Sequence, residues 1–247
     1  MASASRQASK HPAQQREPGL IGRTLNLVGQ ILLWLVAALL FSLIAEWVGM
    51  TWIWPDQGIQ HSQQMLEREI GYLNEDFRKS MLTSNPADFA RSFADMSYRL
   101  IFEYTGIHSL VEWLSVPVHP EDGRFAHSLR NGFVAVEPYV LAGMAITQVF
   151  ALRLGVLTLA MPVFVLFALV ALVDGLVQRD LRRWGGGRES SFVYHHAKRL
   201  MAPSIAMAWV VYLALPFSVH PNWVILPFAL LNAITIAITA SSFKKYL

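Results

Sequence analysis

The 247-residue chain has no cysteine, which excludes a disulfide framework, a thiolate nucleophile and a cysteine-based metal site. Charge is also scarce. Asp, Glu, Lys and Arg make up 15% of the residues against 54% hydrophobic, too apolar a balance for an ordinary soluble domain. No stretch alternates apolar and polar residues at period two, so strands are not expected. No Gly-x-Ser-x-Gly elbow occurs, and His61, His108, His119 and His127 have no matching serine context for hydrolysis. The segment from Gly185 to Ser191 offers glycines and hydroxyls, but it lacks the lysine of a phosphate loop and no strand precedes it. It reads as a flexible turn in which Ser190 or Ser191 caps the next helix.

What the chain has in quantity is apolar runs. Leu154 to Val173 gives twenty residues, roughly 30 Å of helix at about 1.5 Å each, the thickness of a bilayer's hydrocarbon core. Its exit is basic. Residues 179–199 hold six Lys or Arg against two acids, and short loops rich in Lys and Arg stay in the cytoplasm. The amino-terminal residues 1–23 carry four basic groups and one acid, whereas residues 46–137 carry thirteen acids and seven basic groups. Charge is therefore sorted by side of a membrane, and the basic residues sit where topology needs them rather than on a nucleic-acid-binding face. Direct nucleic-acid binding is not expected.

These rules predict an all-α, polytopic membrane protein of about four transmembrane helices with a small external helical domain. Residues 1–23 are expected to be a disordered cytoplasmic tail and 24–46 the first span, with Trp47, Trp52 and Trp54 at its far interface. Cleavage as a signal peptide is disfavoured, because the run reaches spanning length and no small-x-small site follows it. Residues 47–133 form the external domain. There Leu66, Ile70, Leu73, Phe77 and Met81 make one helical stripe, and Phe89, Phe93, Met96, Leu100 and Tyr104 the next, with Asn85 and Pro86 opening the second helix of a hairpin. A short segment from Ser109 to Leu114 follows, then the His119–Gly123 turn and a helix from about Arg124. Residues 134–153 are apolar but contain Glu137, Pro138, Gln148 and Arg153. Counting them as a span would place a basic segment on the wrong side, so they are expected to be an amphipathic helix that lies on the membrane or docks against the other spans and runs into the second span, with a re-entrant hairpin as the alternative. The remaining spans are 154–178, which Pro162 should kink, then 200–219 and 223–241 as a tight hairpin. The loop 179–199 and the tail 242–247 lie inside.

Candidate chemistry is thin. Asp174 is the acid nearest a span interior, but it lies at the cytoplasmic end, where anchoring by Arg179 and Arg182 is the simpler role. His195 and His196 are adjacent and point about 100° apart on a helix, so they cannot share one metal as an i, i+4 pair does; no metal and no cofactor is expected. Beside Lys198 and Arg199 they suit a lipid-phosphate interface. Arg179, Arg182 and Arg183 fall at i, i+3 and i+4 and share one helix face. Glu67, Glu69, Glu75 and Asp76 read as the solvated face of the first external helix.

The segment from Asp174 to Arg183, with Gly186–Ser191 and Tyr194-His-His-Ala-Lys-Arg-Leu200, behind an apolar run and an external helical domain, resembles a family of membrane proteins of proteobacterial integrating conjugative elements. The likeness spans about residues 25–247. It implies a bacterial inner-membrane location, a periplasmic setting for the external domain, and partners within a conjugative type IV secretion system; it carries over no catalytic residue. Two functions follow as expectations. The first is a non-enzymatic accessory or assembly subunit in contact with the bilayer and the transfer apparatus, with homo-oligomerisation left open. The second is a membrane enzyme or transporter for a lipid or small solute, for which the spans offer only Asp174, Thr147, Gln148, Asn232 and a few hydroxyls.

Overall fold

The computed structural model describes residues 20–76, 85–117, 123–185 and 191–243. The expected disorder of the first 19 residues, the Thr83–Ser84 break, the centre of the His119–Gly123 turn, the glycine-rich segment 186–190 and Lys244–Lys245 lie outside them. Among the described residues every regular element is helical: α1 (Leu20–Val48), α2 (Ile59–Asp76), α3 (Pro86–Tyr98), α4 (Ile107–Ser115), α5 (Arg124–Val134), α6 (Glu137–Trp184), α7 (Ser191–Ala214) and α8 (Pro221–Ser241). Helices α1 and α3 each run on through a π-helical turn, at Gly49–Ile53 and Arg99–Glu103. The chain divides into a unit ending at Ala37 and a second comprising Ala38 onward. The first is helical from Leu20 and turns Leu25, Leu33 and Trp34 outward.

In the second unit the organising element is α6, whose 48 residues extend about 72 Å. Pro138 occupies its first turn, where no backbone N–H is required, and this sets the boundary with α5 at Ala135–Val136. Residues 137–153 thus form no reversal; they are the first third of α6. Ala142, Val149, Leu152, Val156 and Leu157 in the first half of α6 are at most 2% exposed, where Met65 of α2 packs with Ile146 and Val149 and Ala90 of α3 meets Gly155. A helix apolar on all sides is a buried one, which explains the hydropathy of this stretch. Beyond Ala160 the surface changes: Val165, Leu169, Val170, Val173 and Leu181 face outward, Val170 at 70% exposure. The helix continues through Pro162.

The external helices pack with different faces from those expected. On α2 the buried residues are Ser62, Met65, Glu69 and Leu73, a stripe rotated from the Leu66–Ile70 line so that it carries an acid inward. On α3 they are Pro86, Ala90 and Ala94, while Met96, Leu100 and Tyr104 are 60%, 56% and 81% exposed. The reason is proximity. A Cβ on Gly155 of α6 would stand 3.1 Å from the Ala90 Cα, so only small side chains fit between α3 and α6 and the bulky ones are displaced from the contact. Both helices pack chiefly on α6 rather than on each other. Phe102, Val111, Phe133 and Met144 form a second core where α3, α4, α5 and the start of α6 meet.

Helix α7 returns antiparallel to α6, placing Tyr194 beside Phe243 and Tyr212 beside Arg153; α8 then runs parallel to α6. At Gly175 a Cβ would lie 2.6 Å from the Ala237 carbonyl oxygen and 2.7 Å from the Ala240 Cβ, so α6 and α8 touch backbone to backbone there. Asn232 Nδ2 donates to the Met201 carbonyl at 2.9 Å and to Ser204 Oγ at 2.8 Å, tying α8 to α7. Among the described residues, three helices are long and apolar enough to cross a membrane: Gly22–Ile53, Glu137–Trp184 and Pro221–Ser241. The expected span at 200–219 is not among them. Helix α7 ends at Ala214, ahead of Pro216, and its first turns carry His195, His196, Lys198 and Arg199, which leaves about 22 Å of apolar helix from residue 200.

Candidate functional site

The most polar buried cluster lies where α2, α6 and the α7–α8 connection meet, and its centre is Arg153. This side chain is 1% exposed although it stands in the longest apolar helix of the chain. A guanidinium has five N–H donors, and here all five are engaged. Nε and Nη2 donate to Glu69 Oε1 at 3.0 and 2.7 Å; Nη1 donates to the carbonyls of Tyr212 and Leu215 at 3.0 and 2.7 Å; the second Nη2 proton reaches the Phe217 carbonyl at 2.8 Å. Those carbonyls belong to the last turn of α7 and the segment after it, where a helix has no internal donors left. Arg153 therefore caps α7 while holding α2, and its positive charge meets the negative end of the α7 dipole.

Glu69 is equally saturated. Its Oε1 also accepts from Ser218 Oγ at 3.1 Å and its Oε2 from Tyr212 Oη at 3.0 Å, and the Arg153 guanidinium lies 5.2 Å from the centre of the Tyr212 ring. A buried ion pair persists when further hydrogen bonds satisfy both partners, as they do here. Chemically the arrangement is a clamp: its donors and acceptors are engaged with one another, and it fixes α2, α6, α7 and the α7–α8 connection in one geometry.

A second polar contact joins α1 to α2. Glu46, 1% exposed, faces His61 Nδ1 at 3.0 and 3.1 Å, and the His61 ring stacks on Trp54 with centroids 4.1 Å apart. Gly49 is required beneath this stack, since a Cβ there would overlap the Trp54 indole. Trp47 Nε1 donates to the Tyr139 carbonyl at 2.9 Å and Ser42 Oγ to the Leu213 carbonyl at 2.9 Å, so the end of α1 is bonded to both α6 and α7.

The residues singled out from sequence lie at the opposite end of α6 and α7. Asp174 is exposed and accepts from Gln178 Nε2 at 2.6 Å, so its partner is Gln178 rather than Arg179 or Arg182. Arg179 bonds its neighbour Asp180 at 3.2–3.3 Å, while Arg182 and Arg183 occupy the last turn of α6, where cations complement the helix dipole. His196 is held against its own helix by the Phe192 carbonyl at 2.9 Å, His195 meets Tyr194 edge-on, Lys198 Nζ lies 5.7 Å over the Tyr194 ring, and Arg199 is exposed. The structure thus brings the basic residues to one end but gathers none of them with Asp174.

Sequence reasoning missed the clamp. Glu69 is buried rather than solvated; Glu67 is exposed as expected, and the side chains of Glu75 and Asp76 lie outside the described residues. The available signal was Arg153 itself, since a cation inside an apolar run of this length demands an acid. Nothing in the spacing pointed to Glu69 as that acid.

A family model described as "DtrJ-like: IncC plasmid conjugative DNA transfer protein DtrJ-like" matches residues 53–244, a stretch containing every residue of the clamp. No curated protein and no solved structure matches the chain.

Proposed function

The chain belongs to the DtrJ-like family of IncC-plasmid conjugative DNA transfer proteins, and on that premise we propose that it is an inner-membrane accessory or assembly subunit of the transfer apparatus, a type IV secretion system, and not an enzyme. The observation that supports this most is the Arg153–Glu69 clamp. It ties α2, one of the external helices, to the helices read as spans, which suits a subunit that links partners on the two sides. In this reading α7 is a fourth, short span, carried through the bilayer by its packing on α8 and by Arg153 at its end. The amino-terminal tail, the loop 179–199 and the carboxyl terminus are then cytoplasmic and α2–α5 periplasmic. In its finest form the reading places the gene on an integrating conjugative element of a proteobacterium.

Partners are proteins of that apparatus. The outward-facing Met96, Leu100, Tyr104 and Phe125, the last 76% exposed, supply apolar surface on the periplasmic side suited to contact with them. The test is crosslinking in donor cells followed by immunoprecipitation. Recovery of transfer-apparatus proteins, reduced when Leu100 and Tyr104 are changed to Ser, supports the proposal; recovery of none overturns it.

A further inference from the structure

Between the far ends of α6, α7 and α8 lies a groove of about 210 Å³. Leu172 and Leu176 line it from α6, Met201 from α7 and Ile236 from α8, with Arg179 and Tyr194 at one end. Two helical stripes give it a graded character. Along α6, residues 172, 176, 179 and 183 follow at i, i+4, i+7 and i+11, so one face passes from Leu172 and Leu176 to Arg179 and Arg183. Along α7, residues 194, 198 and 201 share a face, so Lys198, over the Tyr194 ring, lies next to the apolar Met201. The acid beside the cationic end is Asp180, whose carboxylate is 58% exposed and bonded to Arg179 at 3.2 Å, a contact water screens heavily.

From this gradient we infer that the groove is a binding site for an anionic phospholipid, an acyl chain lying against Leu172, Leu176, Met201 and Ile236 and the phosphate meeting Arg179 with Lys198 nearby. The inference rests on the membrane reading above and adds to it a selective site. Apolar depth without the cations would take any acyl chain, and cations without the depth would take any anion. The two side by side select a molecule that has both. The basic residues expected from sequence to meet lipid phosphate are here given a groove to hold the rest of the molecule.

The test uses the full chain purified in detergent and mixed with equal amounts of phosphatidylglycerol and phosphatidylcholine of identical acyl chains, with retained lipid read by native mass spectrometry. Preferential retention of phosphatidylglycerol is expected. Arg179→Gln should reduce it about fivefold, and Met201→Trp, which fills the groove, should abolish it with the helical circular dichroism unchanged. Equal retention of the two lipids, undiminished retention by Arg179→Gln, or displacement by free sn-glycerol 3-phosphate would overturn the proposal, the last by assigning a soluble anion. A chain that stays monodisperse without detergent would overturn the membrane reading and this one together. A chain that requires detergent yet keeps no phosphatidylglycerol would remove the groove assignment alone.

Discussion

Arg153 and Glu69, 84 residues apart in sequence, meet through two N–H donors on a single carboxylate oxygen, with both side chains at most 1% exposed. The remaining donors of Arg153 terminate α7, so this side chain, with the Tyr212 hydroxyl that donates to Glu69, sets the relation of α2 to α7.

Removing either partner leaves a buried charge uncompensated. Glu69→Ala and Arg153→Ala should each lower stability by about 3–5 kcal/mol. Arg153→Lys should recover little of this, because an ammonium has three donors against the five engaged here. The exchanged pair Glu69→Arg with Arg153→Glu should also fail, since a carboxylate cannot donate to the carbonyls of Tyr212, Leu215 and Phe217. Thermal unfolding in detergent at matched protein levels measures all four; a stable exchanged pair would mean the ion pair matters and the α7 cap does not.

At Gly175 the α6 and α8 backbones leave no room for a side chain. Gly175→Val should cost about 1–3 kcal/mol through overpacking, whereas Gly132→Ala, inside α5 where a Cβ meets nothing within 4 Å, should raise stability slightly, by up to about 1 kcal/mol. Midpoints of the same unfolding curves decide it, and equal midpoints for the two variants would contradict the close contact.

Topology follows from the four-span reading. Reporter fusions after residues 68, 187 and 247 should register outside, inside and inside. An outside signal at residue 187 would reverse α6 and undo the orientation proposed for the basic end.

The three arginines at the end of α6 should act as charges. Replacing Arg179, Arg182 and Arg183 together by Lys should leave transfer frequency within about threefold of the parent at equal membrane abundance, because attraction to an anionic leaflet is worth roughly 1 kcal/mol per cation of either kind. A fall of orders of magnitude would show that paired guanidinium contacts to a partner are needed.

Helical class, the apolar runs and the uneven distribution of charge were legible in the sequence, because each depends on composition and period within one segment. The sequence placed the start of α5 at Arg124 and the hairpin of α7 with α8 for the same reason. It had the faces of α2 and α3 only in part: Leu73 is buried and Leu66 packs on the core as expected, Phe77 and Met81 lie outside the described residues, and Met65, Glu69, Ala90 and Ala94 were missed. Size matching against α6 decides those, and a stripe of Phe, Met and Leu gives no hint that Ala90 and Gly155 must touch. That much of the apolar stretch 137–153 is buried by protein became visible in the packing alone, since hydropathy is the same whether neighbouring helices or lipid cover a helix. The clamp was beyond sequence for a further reason. Glu69 and Arg153 are each legible as charged residues, but burial and pairing belong to two helices brought together in space, and no local period records which acid an arginine will meet.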